Sequence, residues 1–134
     1  MTNPESPIPV RMDGLSLPVA DVAASVAFYT RLGFTVELTD PSGKGFALLR
    51  IGGGTVGLQR QKGEDAPKVR DGIHVELSTE DLDGLYAWMQ ASGIPVEKPP
   101  HDRPWERVMV LRDPDGFRVE FSQGERGHNR PQSQ

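Results

Sequence analysis

An internal repeat constrains this chain more than any other feature. The stretch DGIHVELSTEDL, residues 71–82, has a paler copy in MDGLSLPVADV, residues 12–22. Asp81 stands sixty residues after Asp21, and Gly93 sixty after Gly33. A chain that repeats a unit of this length folds as two similar units, so the repeat is read before any motif. At the same offset His74 falls on Gly14. One copy carries an imidazole where the other carries no side chain at all.

The first unit opens with GLSLPV, where Leu15, Leu17 and Val19 alternate with Gly14, Ser16 and Pro18. That period of two predicts a half-buried strand. Asp21 then predicts the cap of a helix over residues 21–32, with Val22, Val26 and Tyr29 on its apolar stripe and Gly33 to end it. Three strands follow, at 34–39, 45–51 and 55–61, with a hairpin turn at GGG, residues 52–54. The second unit repeats the order. GIHVELS is a strand, Asp81 caps a helix that Gly93 ends, and strands follow at IPVEK, ERVMVLR and FRVEFSQ, with a turn at DPDG, residues 113–116. The predicted fold is α+β, a βαβββ module present twice: module one over 12–61, module two over 71–123, one domain over 12–123. Residues 1–11 and 124–134 are polar and lack apolar periodicity, and they are expected to be flexible ends.

Composition narrows the partners. The chain has 134 residues, 36% apolar and 25% charged, with a net charge of −4 and scattered lysines and arginines. That suits a modest core and gives no basic patch for nucleic acid. With no cysteine there is no disulfide, thiolate nucleophile or Cys-ligated metal. No apolar run is long enough to span a membrane, and the start of the chain has no signal-peptide character. A cytoplasmic protein is expected, binding neither nucleic acid nor membrane. The acidic balance slightly favours a cationic ligand.

The stretches LPVADVAASVAFYTRLGF at 17–34 and RDPDGFRVEFSQ at 112–123, with PPHDRPWERV at 99–108 in support, resemble the vicinal oxygen chelate superfamily of glyoxalases, bleomycin-resistance proteins and extradiol dioxygenases. The resemblance implies two βαβββ modules forming a curved mixed sheet around a cleft, and a homodimer. In metal-dependent members a divalent cation is held by the first and last strand of each module. Those positions here are Gly14, Gly57, His74 and Glu120, so module two supplies a His and a Glu while module one supplies two glycines. Two ligands are few for a catalytic zinc, which normally keeps three. Glu76 shares the face of His74 and could add a third.

Strand parity sorts the remaining lining. Gly14, Ser16 and Pro18, then Ala47 and Leu49, then Thr55, Gly57 and Gln59 are expected to face the cleft from module one. His74, Glu76 and Ser78, then Trp105, Arg107, Met109 and Leu111, then Arg118, Glu120 and Ser122 are expected to do so from module two. The candidate ligand-binding residues are Ser16, Gln59, His74, Glu76, Trp105, Arg107, Met109 and Glu120. Trp105 follows the Pro-rich stretch PPHDRP and could stack on a planar ligand. His101 and Asp102 in that stretch are read as a solvated loop pair. His128 lies in the tail and receives no role, and IGGGTVG lacks the lysine and helix of a phosphate loop. Beside a partner-binding or regulatory module, which nothing in the sequence excludes, two functions stand open. One is a binder of a small organic molecule with no cofactor and no complete metal site. The other is a lyase, isomerase or dioxygenase using zinc, nickel, manganese or iron at His74 and Glu120, with Glu120 as ligand or, without a metal, catalytic base.

Overall fold

Asp21 and Asp81 both start helices, and for the same reason. Each has non-helical backbone geometry, and each side chain accepts a hydrogen bond from the N–H three residues on, Ala24 at 3.1 Å and Gly84 at 3.0 Å. This satisfies a donor that the first helical turn leaves open. Helix α1 covers Val22–Arg31 and α2 covers Leu82–Ala91. Both end at a glycine with positive φ, Gly33 at 107° and Gly93 at 71°. That backbone geometry is costly for other residues. The computed structural model describes residues 7–61 and 70–124. The chain divides into two units, residues 1–62 and 63–134.

In the first unit the strands are β1 (Gly14–Val19), β2 (Thr35–Thr39), β3 (Phe46–Ile51) and β4 (Gly54–Arg60). They form one sheet in the order β1-β4-β3-β2, with β1 parallel to β4 and the other pairs antiparallel. In the second unit β5 (Arg70–Ser78), β6 (Lys98–Arg103), β7 (Glu106–Arg112) and β8 (Phe117–Gly124) repeat this as β5-β8-β7-β6. The fold is α+β, as the repeat predicts. Each helix packs on one face of its own sheet, α1 against β3 and β4, α2 against β6, β7 and β8. Leu17, Val19, Leu49 and Leu58 are buried in the first unit with Val22, Tyr29 and Phe34. Tyr29 stands edge-on to Phe34, with ring centroids 5.1 Å apart. Met109, Leu111, Val119 and Phe121 are buried in the second unit with Leu82 and Met89. Each fully buried side chain of this kind stabilises by about 1.5–3 kcal/mol. No described helix is long and apolar enough to cross a membrane.

One element differs from expectation. No strand forms at IPVEK; the strand begins at its last residue and runs on as Lys98–Arg103, KPPHDR. Two prolines can sit in it because β6 is an edge strand and its pairing to β7 shifts register between Lys98 and His101. Proline removes a donor that an edge does not need. The expected flexible ends lie mostly outside the described residues, as does His128. Residues 7–13 carry no helix or strand, and Gly124 closes β8 rather than opening a tail.

Candidate functional site

The register of the second sheet decides which side chains share a face. His74 pairs with Arg118, Glu76 with Glu120 and Ser78 with Ser122 along β5 and β8. Directly paired residues point the same way. On β7 the partners of Glu120 and Ser122 are Val110 and Val108, and β6 adds His101 opposite Val108 and Arg103 opposite Glu106. One face of this sheet therefore carries His74, Glu76, His101, Arg103, Glu106, Arg118 and Glu120.

The registers of the two sheets correct five of the residues expected to face the cleft. Arg107 pairs with Gln123 and Met109 with Phe121, which places both on the opposite, helix-covered face. Met109 is fully buried there. Arg107 donates to Asp83 of α2 at 3.0 Å and to Asp102 at 2.9 Å. Those bonds push its pKa further up, with desolvation opposing them. Leu111 goes with Met109, and in the first sheet Ala47 and Leu49 likewise lie with the buried Leu58 and Val56, while Leu48 pairs with Gly57. The cause is common to both sheets. Valines, leucines and a methionine stand on both faces of β3 and β7, so no alternation marks the parity. Trp105 sits in the turn between β6 and β7 rather than in a strand and is 50% exposed. His101 and Asp102 lie in β6 and point to opposite faces; His101 Nδ1 is 2.9 Å from the Pro99 carbonyl oxygen.

Glu120 is the centre of the charged face. Its side chain is 3% exposed. One carboxylate oxygen accepts from Arg103 Nη1 at 3.1 Å and the other from Arg118 Nε at 3.0 Å. Arg103 Nη1 also donates to the buried Glu106 at 3.3 Å. His74 Nδ1 lies 3.8 Å from Glu120 and 3.9 Å from Glu76, beyond hydrogen-bond distance of either. Arg103 and Glu106 were not among the expected site residues. The signal for Arg103 was its alternation with His101, legible only once KPPHDR is read as a strand, and Glu106 follows from the parity of β7.

The first unit presents Gly14, Ser16, Thr55, Gly57 and Gln59 on the matching face, with Ser16 opposite Gly57 and Gly14 opposite Thr55. A Cβ at Gly14 would lie 1.9 Å from the Thr55 carbonyl oxygen, and one at Gly57 would lie 2.6 Å from the Ser16 hydroxyl.

Residues 11–121 match the sequence model of the Glyoxalase/Bleomycin resistance protein/Dioxygenase superfamily. The chain belongs to that superfamily. No curated protein matches it. Among solved structures it is similar to TioX from Micromonospora sp. ML1, with 26% identity, TM-score 0.69, and coverage of 85% of this chain and 98% of that one. It is similar to a glyoxalase/bleomycin resistance protein/dioxygenase from Nocardioides, with 25% identity, TM-score 0.71, and coverage of 95% and 91%. It is also similar to lactoylglutathione lyase from Agrobacterium tumefaciens, with 25% identity, TM-score 0.68, and coverage of 89% and 96%.

Superfamily members often bind divalent metals, so the donor set of this chain has to be tested against one. Among the described residues no group of three or more His, Asp or Glu side chains is arranged to hold a metal ion. The spacing of His74 and Glu120 is not the obstacle, since two ligands about 2 Å from one zinc stand somewhat over 3 Å apart. The obstacle is what Glu120 already holds. Both of its oxygens bind guanidinium groups, and a dication beside two such cations would be repelled. Gly14 and Gly57 offer no donor, and Gly14 has no room for one. The residues present do not fit the metal.

Proposed function

We propose that this protein binds a small organic molecule on the charged face of its second sheet, without a complete metal site. The observation that carries this reading is the double capture of Glu120 by Arg103 and Arg118, which commits both of its oxygens to guanidinium groups rather than to an ion. His74, Glu76 and Glu120 line the site, and the exposed Trp105 lies on the turn that joins two of its strands. Ser16 and Gln59 are proposed as ligand-binding residues of the first unit, on the corresponding face of its own sheet. A cytoplasmic homodimer completes it, drawn from the superfamily and the absence of cysteine, and a light-scattering mass of two chains is its check.

The second reading is a divalent-metal-dependent lyase, isomerase or dioxygenase using His74 and Glu120. The likeness to a lactoylglutathione lyase and the spacing of His74 to both carboxylates favour it. It requires both arginines to release Glu120. Elemental analysis of protein purified without chelator, beside His74→Ala, separates the two. No stoichiometric metal in either sample is expected. A near-stoichiometric metal that disappears in His74→Ala overturns the proposal and leaves the enzyme.

A further inference from the structure

We infer that Arg103 and Arg118 form an oxyanion-binding site, clamped from beneath by Glu120, for the carboxylate or phosphoryl group of a small organic acid. This rests on the small-molecule reading above and names its ligand class.

The inference comes from which nitrogens are used. A guanidinium carries five N–H donors in a fixed plane. Every contact that Arg103 makes to Glu106 and Glu120 runs through Nη1, and the contact of Arg118 to Glu120 runs through Nε. The Nε–Nη2 edge of Arg103 and the Nη1–Nη2 edge of Arg118 therefore keep both donors without a partner among the described residues. Such an edge matches two oxygens of a carboxylate or phosphate, and it does so bidentately. The exposures are ordered in the same sense. Glu120 is 3% exposed, Arg118 16% and Arg103 27%. The carboxylate is a buried post, and the two guanidiniums it holds reach solvent.

Charge alone would not select an anion here. Arg103 and Arg118 are balanced by Glu106 and Glu120, and Glu76 stands on the same face. The overall acidic balance of the chain would favour a cation. The directed donors favour an acceptor that presents two oxygens to one guanidinium edge, which a spherical anion cannot imitate. Glu120 is a positioning residue for the two guanidiniums.

The test is titration of the full chain with benzoate and with inorganic phosphate at constant ionic strength, followed by calorimetry and tryptophan fluorescence. Binding of one of them is expected, with chloride unable to compete. Arg118→Lys keeps the charge but loses the two-donor edge, and affinity is expected to fall roughly tenfold. Arg103→Lys serves as the second variant should Arg118→Lys fail to give a wild-type melting curve. Glu120→Gln is expected to weaken binding while the melting transition stays cooperative. Equal affinity in the lysine variants, or competition by chloride, overturns the inference. Binding of a neutral or cationic aromatic compound with no response to either oxyanion also overturns it, while leaving the small-molecule reading intact. No binding of any of these compounds defeats both.

Discussion

The two modules are the same fold doing different work. Their helices, caps and strand orders coincide, and their registers correspond residue for residue: Gly14 opposite Thr55 matches His74 opposite Arg118, and Ser16 opposite Gly57 matches Glu76 opposite Glu120. One ion pair is kept in both, Glu37 with Arg50 and Glu97 with Arg112. The glutamates stand sixty residues apart, and each arginine lies at the same register position on its strand. What the modules share is what the fold needs to close. What they do not share is the parallel strand pair on one face, where β5 and β8 carry His74, Glu76, Arg118 and Glu120 and β1 and β4 carry Gly14, Ser16, Thr55 and Gly57.

The difference is also one of backbone. Module one has not simply lost a side chain at Gly14. Thr55 bonds to the Asp13 carbonyl oxygen through both its N–H and its hydroxyl, at 3.0 Å each, and its own carbonyl stands where a Cβ would go. The strand pair has closed over the position that His74 occupies in its twin.

The sharpest way to break the comparison is Gly14→His. The clash is with backbone, so the strands must part, and a destabilisation of roughly 3 kcal/mol is expected in urea denaturation. An unchanged midpoint would mean that module one can still accept the histidine and that the modules are interchangeable after all. A smaller effect is expected from Gly57→Glu, about 1 kcal/mol, because the obstacle is the Ser16 hydroxyl rather than backbone. Adding Ser16→Gly should recover most of that loss; failure to recover would place the obstacle elsewhere.

The smallest effect concerns what the modules share. The hydrogen bond from Arg50 holds the Glu37 carboxyl below its ordinary value, with desolvation opposing and Coulomb attraction to Arg50 assisting. A carboxyl depressed in the folded state stabilises above its ordinary range and loses that contribution as pH falls through the folded value. Glu37→Gln should therefore lower Tm slightly at neutral pH, and the gap from wild type should close in acid. The pair is exposed, so the shift is small. Glu97→Gln should show a similar loss at neutral pH. A much larger loss in one module would show that the shared pair does not serve both alike.

Part of the candidate site was legible in residues alone. The alternation around His74 and around Glu120 put them on the polar faces of their strands, and the pairing of β5 with β8 brings those faces together. Arg107 and Met109 went to the wrong face because Val108, Met109, Val110 and Leu111 are all buried, and such a run has no parity of its own. Arg103 was missed because two prolines hid an edge strand, and Glu106 because the same inverted parity of β7 that misplaced Arg107 put it on the other face.

The sequence by itself determined the repeat, the element order and the helix ends, since caps, positive-φ glycines and hydrophobic period act over a few neighbouring residues. Only the tertiary structure decided which face of β3 and β7 looks which way, and that Glu120 is held between two arginines. Strand parity and ion pairing across β6, β7 and β8 join residues far apart in the chain, and only the hydrogen-bonded register between strands fixes which side chains meet.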